Sequence, residues 1–382
     1  MTGVPLATVP LAMIVPGDVT RATGGNVWDR RVRRALEAAG RAVAWLPVDG
    51  AWPEPSGADL ERLAAALTSR PDGSAVLVDG LVGCGAPAAV LPALARLRVG
   101  VVVHLPLAAE TGLAPATAAR LAVSERTVLE AVDVVVVTSA WTVTYGLPGV
   151  RLRRPAVVAE PGTDRDPGFD TGTGSGSGSG SLTDRHEDRR DGGHLLCLGS
   201  LTRRKGQRVL VAALARLGAE APTPAPANWR VRLVGEQPDA AELAAVRDAI
   251  AAAGLRGRVE LLGPVTGEAL AEQWRWADLL VVPSLVETYG MVVTEALAHG
   301  LPVVGSSGGA LPATLGTTAA GPPGLLVPPG DPDALADVLA RWLADAALRT
   351  TLRTRARDRA AALPGWDRTA ASVATAFTGA CA

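Results

Sequence analysis

Cysteine is scarce in this chain, and its scarcity argues against a disulfide framework. The 382 residues include three cysteines, Cys84, Cys197 and Cys381, which lie far apart and form no CxxC or CxxH pair. Such sparse usage favours reduced thiols and a cytoplasmic setting.

Long apolar runs are also missing. No uninterrupted apolar stretch approaches the roughly 18 residues that a membrane-spanning helix needs, so no such helix is expected. At the N-terminal end no basic segment precedes the apolar stretch, and Pro5, Pro10 and Pro16 interrupt any helix. We therefore expect a first β-strand there and not a signal peptide.

Aromatic residues make up 3% of the chain, whereas hydrophobic residues make up 48%. The core must therefore consist mainly of Ala, Val and Leu, which suits parallel strands covered by alanine-rich helices. A chain of this length is too long for one ordinary core, and two domains of roughly 150–200 residues are expected. The formal net charge of −1 gives no reason to expect nucleic acid as the main partner.

Lysine is the scarcest cation. Lys and Arg total 37, yet Lys205 is the only lysine. Chance could leave a single lysine anywhere, but this one lies in GSLTRRKG (199–206), a glycine-bounded cationic loop directly after a predicted strand.

Short β-branched runs alternate with helical stretches, the pattern of βαβ units and parallel sheets. Strands are predicted near 9–15, 42–47, 75–78, 99–104, 132–138 and 156–159, and again at 195–199, 231–235, 259–263, 278–284, 301–307 and 324–329. This pattern predicts two doubly wound α/β domains, and ligands are expected at the carboxyl ends of their strands.

The composition changes at 164–193, where a Gly/Ser repeat and a charged stretch cannot bury enough apolar area to fold. We therefore expect a Rossmann-like domain (1–165), a flexible linker (166–193), a second Rossmann-like domain (194–362) and a C-terminal helix (363–382). That helix is expected to cross back to the first domain.

Two glutamates flank the turn and helix after the predicted strand 278–284. Glu287 lies in the turn, and Glu295 lies in the helix that is predicted to begin near Gly290. The start of a helix presents free N–H groups and a positive dipole end, which suit a phosphate or a sugar hydroxyl. The two carboxylates can accept hydrogen bonds from vicinal diols, as expected for holding the ribose and the hexose of one donor. A helix N-terminal charge and a solvated helix position are the alternative explanation.

The surrounding sequence, PSLVETYGMVVTEALAHGLPVVGSSGGALP (283–312), resembles the donor-binding region of glycosyltransferase family 4. Adjoining stretches are similar to the same family: LLCLGSLTRRKG (195–206), LLGPVTGEALAEQWRWADLLVVPS (261–284) and GLLVPPGDPDALA (324–336). The first half is similar through GGNVWDRRV, VVVHLPL, VVVTSAW and PGTD.

The resemblance implies the GT-B fold, in which two Rossmann-like domains face each other across a cleft. It also implies a nucleotide-sugar donor, with UDP- or GDP-sugar expected, retention at the anomeric carbon, and neither a metal nor a cofactor. The donor site would comprise Gly24, Gly25, Gly199, Ser200, Gly263, Thr288, Tyr289, Gly290, Met291, Val292 and Glu295.

The cationic loop 199–206 can neutralise a diphosphate leaving group as the glycosidic bond breaks, and stabilising developing charge is commonly the largest catalytic contribution. In the family an arginine directly follows the first glycine, whereas this chain has Ser200 there. Either Arg203 or Arg204 is expected to take over that role beside Lys205, or leaving-group stabilisation is weaker. A basic surface turn is the alternative.

Two candidates lie in the first half. Gly24 and Gly25 open a predicted helix (26–39), and paired glycines let a backbone approach a phosphate closely. By resemblance, Gly25 contacts the donor diphosphate and His104, at a strand end, contacts the sugar or the acceptor. A plain loop and a core histidine are the alternatives. The spacing from Gly17 to Gly25 does not give GxGxxG, which counts against a dinucleotide oxidoreductase.

Two further patterns are interpreted as structural. Asp331-Pro332-Asp333 matches the metal-binding DxD of other glycosyltransferases, but an aspartate before proline is typical of a helix N-cap. Four arginines on the first helix, Arg30, Arg31, Arg33 and Arg34, are interpreted as a solvated face, with docking to an anionic membrane as the minor alternative.

The sequence thus predicts phosphate-assisted, same-face transfer of a sugar, with Lys205, one of the two arginines, Glu287 and His104 as catalytic residues. The acceptor and the oligomeric state are left open. A nucleotide-sugar epimerase or a phosphorylase is the rival enzyme class. The non-catalytic rival is a nucleotide-sugar-binding partner subunit, which Ser200 favours.

Overall fold

The structure, a computed structural model, describes residues 11–19, 21, 23–164, 192–219 and 228–378. The chain divides into two compact units. The first comprises the residues up to Gly162 together with those from Pro364 onward, and the second comprises Thr163–Leu363. Most of the predicted linker, 166–191, lies outside the described residues.

The first unit contains a six-stranded parallel sheet with the strand order β2-β1-β3-β4-β5-β6. Its strands are β1 (Leu11–Pro16), β2 (Val43–Val48), β3 (Ala75–Asp79), β4 (Arg98–Val103), β5 (Val134–Val137) and β6 (Val157–Val158). The α-helices between its strands are α1 (Gly24–Ala38), α2 (Gly57–Thr68), α3 (Gly80–Gly83), α4 (Pro87–Ala93) and α5 (Pro115–Leu129). The central strands β3, β4 and β5 are rich in valine and buried on both faces, as expected for a parallel sheet with helices on each side.

The second unit repeats this design with the strand order β12-β11-β10-β7-β8-β9. Its strands are β7 (His194–Leu198), β8 (Arg230–Val234), β9 (Val259–Gly263), β10 (Leu279–Val282), β11 (Val303–Ser306) and β12 (Gly324–Val327). Its helices are α6 (Gln207–Ala219), α7 (Ala240–Ala252), α8 (Gly267–Trp276), α9 (Met291–Ala298), α10 (Leu311–Leu315), α11 (Pro332–Ala344) and α12 (Ala346–Ala361). The predicted α/β class with two doubly wound parallel sheets is confirmed.

The last helix, α13 (Trp366–Thr378), belongs to the first unit, where it packs against α1, β5 and β6. Phe377 anchors it and is fully buried. A Cβ at Gly100 on β4 would come within 2.6 Å of the Phe377 ring, so the glycine leaves the space that the ring fills. Burial of such a ring contributes about 2–3 kcal/mol.

Each sheet has one point at which the chain changes its direction of winding. In the first unit this switch point lies between β1 and β3, and in the second it lies between β7 and β10. The loops that follow the two strands diverge there and leave a crevice at their carboxyl ends, where α/β proteins bind ligands. The cationic loop follows β7 and the Glu287 turn follows β10, so the fold brings these two segments to the same switch point.

Side chains cap the starts of α11 and α1. Asp331 caps α11, because its Oδ1 accepts the N–H groups of Asp333 and Ala334 at 3.0 and 2.9 Å. Helix α1 begins at Gly24, two residues before the predicted start, because the Thr23 side chain caps it. No helix in the described ranges combines the length and the apolar character needed to cross a membrane.

Candidate active site

The cationic loop and the Glu287 turn are in direct contact in the second unit. Residues Arg203–Lys205 form a short 3₁₀ turn, and Gly206 follows with a φ of 70°. A Cβ at Gly206 would lie 2.1 Å from the carbonyl oxygen of Pro283, so only glycine allows this approach. The N–H of Leu285 donates to the Arg204 carbonyl at 2.7 Å and completes the contact between the two loops.

Glu287 lies at the centre of this contact with only 5% of its surface exposed. Lys205 Nζ donates to its Oε1 at 2.6 Å, and Ser284 Oγ donates to the same oxygen at 2.7 Å. Arg204 Nη1 lies 3.4 Å from its Oε2. Burial by itself would raise the pKa of Glu287, but the charges of Lys205 and Arg204 outweigh it and hold this pKa below its ordinary value. The carboxylate is therefore ionised between two cations.

The two candidate arginines are placed differently. Arg204 also donates to the carbonyl of Val286 at 3.2 Å, and its side chain is 13% exposed. The side chain of Arg203 is exposed. Arg204 is therefore the arginine that shares Glu287 with Lys205.

The helix start after Glu287 has the geometry expected of a backbone anion site. Gly290 adopts a φ of 89° directly before α9, and a Cβ there would lie 2.7 Å from Leu311 Cδ2. Among the residues that the structure describes, no side chain caps α9, so its first N–H groups, at Met291 and Val292, are not satisfied by a cap. Glu295 lies one turn further along α9 and is partly exposed.

Thr288 and Tyr289 connect Glu287 to Gly290. Thr288 is partly exposed and Tyr289 is buried. The Thr314 hydroxyl donates to the Tyr289 carbonyl at 2.6 Å, which fixes the turn against α10.

The remaining donor-site candidates of this unit surround the end of β7. Gln207 Nε2 donates to the carbonyls of Ser200 and Gly199 at 3.0 and 3.4 Å. Gly263 closes β9, and its carbonyl accepts the N–H of Gly235 at 2.9 Å. The chain thus places Gly199, Ser200 and Gly263 at the carboxyl ends of strands in one sheet.

Three residues that support Glu287 were not singled out from the sequence: Ser284, Ser306 and Gly309. Ser306 Oγ donates to the Ser284 carbonyl, and the N–H of Ala310 donates to the Glu287 carbonyl at 2.7 Å. A Cβ at Gly309, whose φ is 70°, would lie 2.1 Å from that same carbonyl oxygen. They lie at or directly after the carboxyl ends of the buried strands β10 and β11, and that position was the available signal.

The first unit has its own polar cluster at its switch point. Gly25 lies against the His104 ring, since a Cβ there would come within 3.0 Å of His104 Cδ2. His104 Nε2 lies 3.3 Å from Asp29 Oδ1 and 3.5 Å from Asp79 Oδ2. The ligand atoms of these three residues all lie within 4.8 Å of one another, a grouping that could also hold a metal ion. Asp29 and Asp79 were not predicted as site residues.

The predicted site residues therefore fall into two groups. The structure joins Lys205, Arg204 and Glu287 directly in the second unit, and it places Gly25 against His104 in the first. Gly24 begins α1 and is exposed.

The sequence of the second unit and the fold of the chain both point to glycosyltransferases. Residues 192–345 match the family model described as Glycosyl transferases group 1. This range contains the cationic loop, the Glu287 turn and every strand of the second sheet. The match supports the predicted glycosyltransferase class.

Individual relatives agree with this class. The chain is 38% identical over 186 residues to a D-inositol 3-phosphate glycosyltransferase from Xylanimonas cellulosilytica, which covers 48% of this chain and 41% of that protein. The chain spans less than half the length of the curated relatives of this kind that it matches.

Solved structures match the whole fold. Sucrose-phosphate synthase from Thermosynechococcus elongatus is 26% identical with a TM-score of 0.75, over 96% of this chain and 98% of that one. HepE from Anabaena, solved in complex with UDP-glucose, shares the fold at 17% identity with a TM-score of 0.71, over 96% of this chain and 99% of that one. These structures confirm the GT-B type of fold.

Proposed function

We propose that this chain is a retaining glycosyltransferase of family 4 that transfers a sugar from a nucleotide-sugar donor to an acceptor without a metal ion. The observation that carries the proposal is the buried Glu287 held between Lys205 and Arg204 at the switch point of the second sheet. A carboxylate beside two cations offers hydrogen-bond acceptors for sugar hydroxyls and positive charge for a diphosphate at one place.

The donor is proposed to lie along the carboxyl edge of the second sheet. Glu295 would accept hydrogen bonds from the ribose hydroxyls, and the nucleotide base would lie towards Gly263. Glu287 and the N–H groups at the start of α9 would hold the sugar. Uracil or guanine is the proposed base.

Lys205 and Arg204 would neutralise the leaving group. As the bond between the anomeric carbon and the phosphate oxygen breaks, its electron pair passes to the diphosphate. The acceptor hydroxyl attacks on the same face, and its proton passes to the departing phosphate oxygen. Cations already fixed by Glu287 stabilise this charge without having to reorganise, which is the usual source of large electrostatic rate effects. They would also supply the positive charge that a metal ion provides in other enzymes.

Arg204 is proposed to replace the arginine that this chain lacks at Ser200. Its guanidinium adjoins the same carboxylate as the Lys205 ammonium, so both cations are directed to one region. The alternative function, a non-catalytic nucleotide-sugar-binding subunit, is favoured by Ser200 alone.

The first unit is proposed to supply acceptor binding, with His104 as its central residue. The acceptor is not assigned. The name of the Xylanimonas relative makes inositol phosphates the first acceptors to test.

The proposal can be tested first by binding. Nucleoside diphosphates and nucleotide sugars are added singly, and the melting temperature of the full chain is recorded. A ligand at 100 times its Kd stabilises the folded chain by about 2.7 kcal/mol, so the donor is identified by the largest rise in melting temperature. The donor found in this way is then incubated with candidate acceptors, with and without EDTA, and the anomeric configuration of the product is read by NMR.

The expected result is a selective rise in melting temperature, followed by EDTA-resistant transfer with retention. Binding without transfer or donor hydrolysis would support the non-catalytic subunit. Conversion of the donor without an acceptor would support an epimerase. Failure of every nucleotide to raise the melting temperature would contradict both the enzyme and the subunit.

A further inference from the structure

The cluster at the switch point of the first unit has a feature that the proposed chemistry does not require. Asp29 lies on the buried face of α1 with 1% of its surface exposed, and it shares that face with Trp28, Val32 and Leu36. Its Oδ2 has no hydrogen-bond partner among the described residues. A buried carboxylate with an unsatisfied oxygen costs free energy, so an apolar side chain would serve the fold better at this position.

The other carboxylate of the cluster has a structural task. Asp79 Oδ1 accepts the N–H of Leu81 at 2.6 Å and caps α3, while its Oδ2 faces His104. The Asp29 side chain contacts His104 at 3.3 Å and also contacts the Asp79 side chain. Asp29 therefore acts on the cluster with His104 and Asp79 and not on the helix that carries it.

The His104 ring is also held by its neighbours on α1. The Trp28 ring meets it edge-on, with centroids 5.2 Å apart and an interplanar angle of 69°. Gly25 approaches the ring closely, so a side chain there would displace it. These contacts fix the ring plane and leave Nε2 facing two carboxylates. In the neutral imidazole one nitrogen donates and the other accepts, whereas in the imidazolium both nitrogens donate.

Two buried carboxylates close together are stable only if a proton or a cation compensates their charge. The imidazole is placed to supply it, since one nitrogen faces both groups. We propose that Asp29 is a positioning residue which, together with Asp79, holds His104 as the imidazolium, so that both ring nitrogens donate hydrogen bonds. The effect on sugar transfer rests on the proposed function, whereas the charge state of His104 does not.

The electrostatic directions agree with this assignment. Burial lowers the pKa of His104, but the charge and contact of Asp29 and the charge of Asp79 raise it further, so that it lies above its ordinary value. Burial, the charge of Asp29 and the contact with the Asp29 side chain raise the pKa of Asp79, whereas the charge of His104 and the N–H of Leu81 lower it.

Other charged and titratable groups lie on the elements around the cluster. Arg30 on α1 is attracted by the charge of Asp29. Cys84 lies directly after α3, and its pKa is raised by burial and by the charges of Glu125 on α5 and of Asp79. A shift in the His104 titration is therefore assigned by comparing matched variants and not from the wild type alone.

The test is a histidine-specific NMR titration of the full chain. His104 is one of four histidines, and its signal is identified as the one lost in His104→Gln. The expected midpoint in the wild type lies above the ordinary value of about 6.5, and Asp29→Asn lowers it by at least about one pH unit, a tenfold change in proton affinity. Glu37→Gln removes an exposed carboxylate from the same helix and is expected to leave the midpoint unchanged.

Thermal melting supplies a second readout. Melting is recorded at a pH above the wild-type His104 midpoint, where His104 is neutral and the buried charge of Asp29 is not compensated. Asp29→Asn is expected to melt no lower than the wild type at that pH, whereas loss of a residue needed for the fold would lower the melting temperature. An unchanged His104 midpoint in Asp29→Asn would overturn the proposal, as would a lowered melting temperature at the pH where His104 is neutral. Retention of one equivalent of zinc by the wild type, lost in His104→Gln, would overturn it in favour of a metal site.

Activity separates this proposal from the proposed function. If transfer is observed, the acidic side of the rate–pH profile should be little affected, while the loss of rate on the alkaline side should move to lower pH in Asp29→Asn. If no transfer is observed with any donor, the proposed function fails while the NMR result still decides the role of Asp29.

Discussion

Lys205 Nζ and Glu287 Oε1 lie 2.6 Å apart, although 82 residues separate them in the chain. The contact joins the two loops that diverge at the switch point of the second sheet. Because the carboxylate is buried, it depends on its cations for stability, and removal of a partner leaves a charge without compensation. The pair thus links two loops and forms the charged centre of the proposed donor site.

Loss of either member of this pair should remove most of the activity. Lys205→Ala and Glu287→Ala are each expected to lower kcat by roughly 10²–10³-fold, the usual effect of losing a group that stabilises developing charge. Arg256→Ala, which removes an exposed cation of the same unit, is the control. Initial rates of nucleoside diphosphate release measure the effect, and circular dichroism verifies folding. Near-wild-type rates in both variants would remove the proposed mechanism.

The two adjacent arginines should differ in effect. Arg204→Ala removes a guanidinium that contacts Glu287 and is expected to lower kcat by about 10–100-fold. Arg203→Ala removes an exposed side chain and should have a much smaller effect.

A double variant tests the replacement of the missing arginine directly. Ser200→Arg combined with Arg204→Ala should recover part of the activity that Arg204→Ala loses, because a cation returns at the position where the family has one. Equal losses in Arg203→Ala and Arg204→Ala, with no recovery in the double variant, would show that Arg204 has no special role.

The sequence predicted the regular elements of this fold well, because most strands are short valine- or leucine-rich runs separated by helical stretches. All twelve predicted strands are present, although β6 is reduced to Val157–Val158. The length of an edge strand depends on its hydrogen bonds to the backbone of the neighbouring strand, which a sequence pattern does not show.

The motifs and the family resemblance singled out Glu287 and Lys205 as candidate site residues, and the structure brings the two together. The choice between Arg203 and Arg204 depended on which side chain turns inward, which the sequence does not show. Asp29 could have been found, since it lies at helical spacing from Val32 and Leu36 on an apolar face. Asp79 ends a buried strand, which is a second available signal.

The close approach of the two loops requires glycine at position 206. Gly206→Ala places a methyl group within 2.1 Å of the Pro283 carbonyl oxygen at a φ of 70°. The left-handed backbone alone costs about 1 kcal/mol, and the forced separation of the loops adds about 1–3 kcal/mol. Gly254→Ala is the matched control, because Gly254 has a φ of 67° but nothing within 4 Å of an added Cβ.

Urea denaturation of both variants measures the difference. Gly206→Ala should lose clearly more stability than Gly254→Ala, and it should also lose transfer activity because Lys205 moves away from Glu287. Equal losses of stability in the two variants would mean that the loops are not held together at this point.

A buried carboxyl group on α5 should make the stability of the first unit depend on pH. Glu125 Oε1 accepts the N–H of Leu107 at 3.2 Å, and burial raises the pKa of Glu125 from 4.5 to about 7 despite this bond. The folded chain therefore binds this proton more tightly than the unfolded chain does. The stabilising effect of protonation is fully present below about pH 4.5 and is lost as the pH rises to about 7, at a cost of about 3 kcal/mol.

Glu125→Gln keeps an acceptor for Leu107 but cannot ionise, so this variant should exceed the wild type in stability at pH 8 and match it near pH 4.5. Glu61→Gln, at an exposed position of α2, is the control and should follow the wild type at every pH. Urea denaturation at half-unit pH intervals measures these curves. Parallel curves for Glu125→Gln and the wild type between pH 4.5 and 7 would show that Glu125 titrates at its ordinary pKa, and that its burial is offset by contacts other than the Leu107 amide.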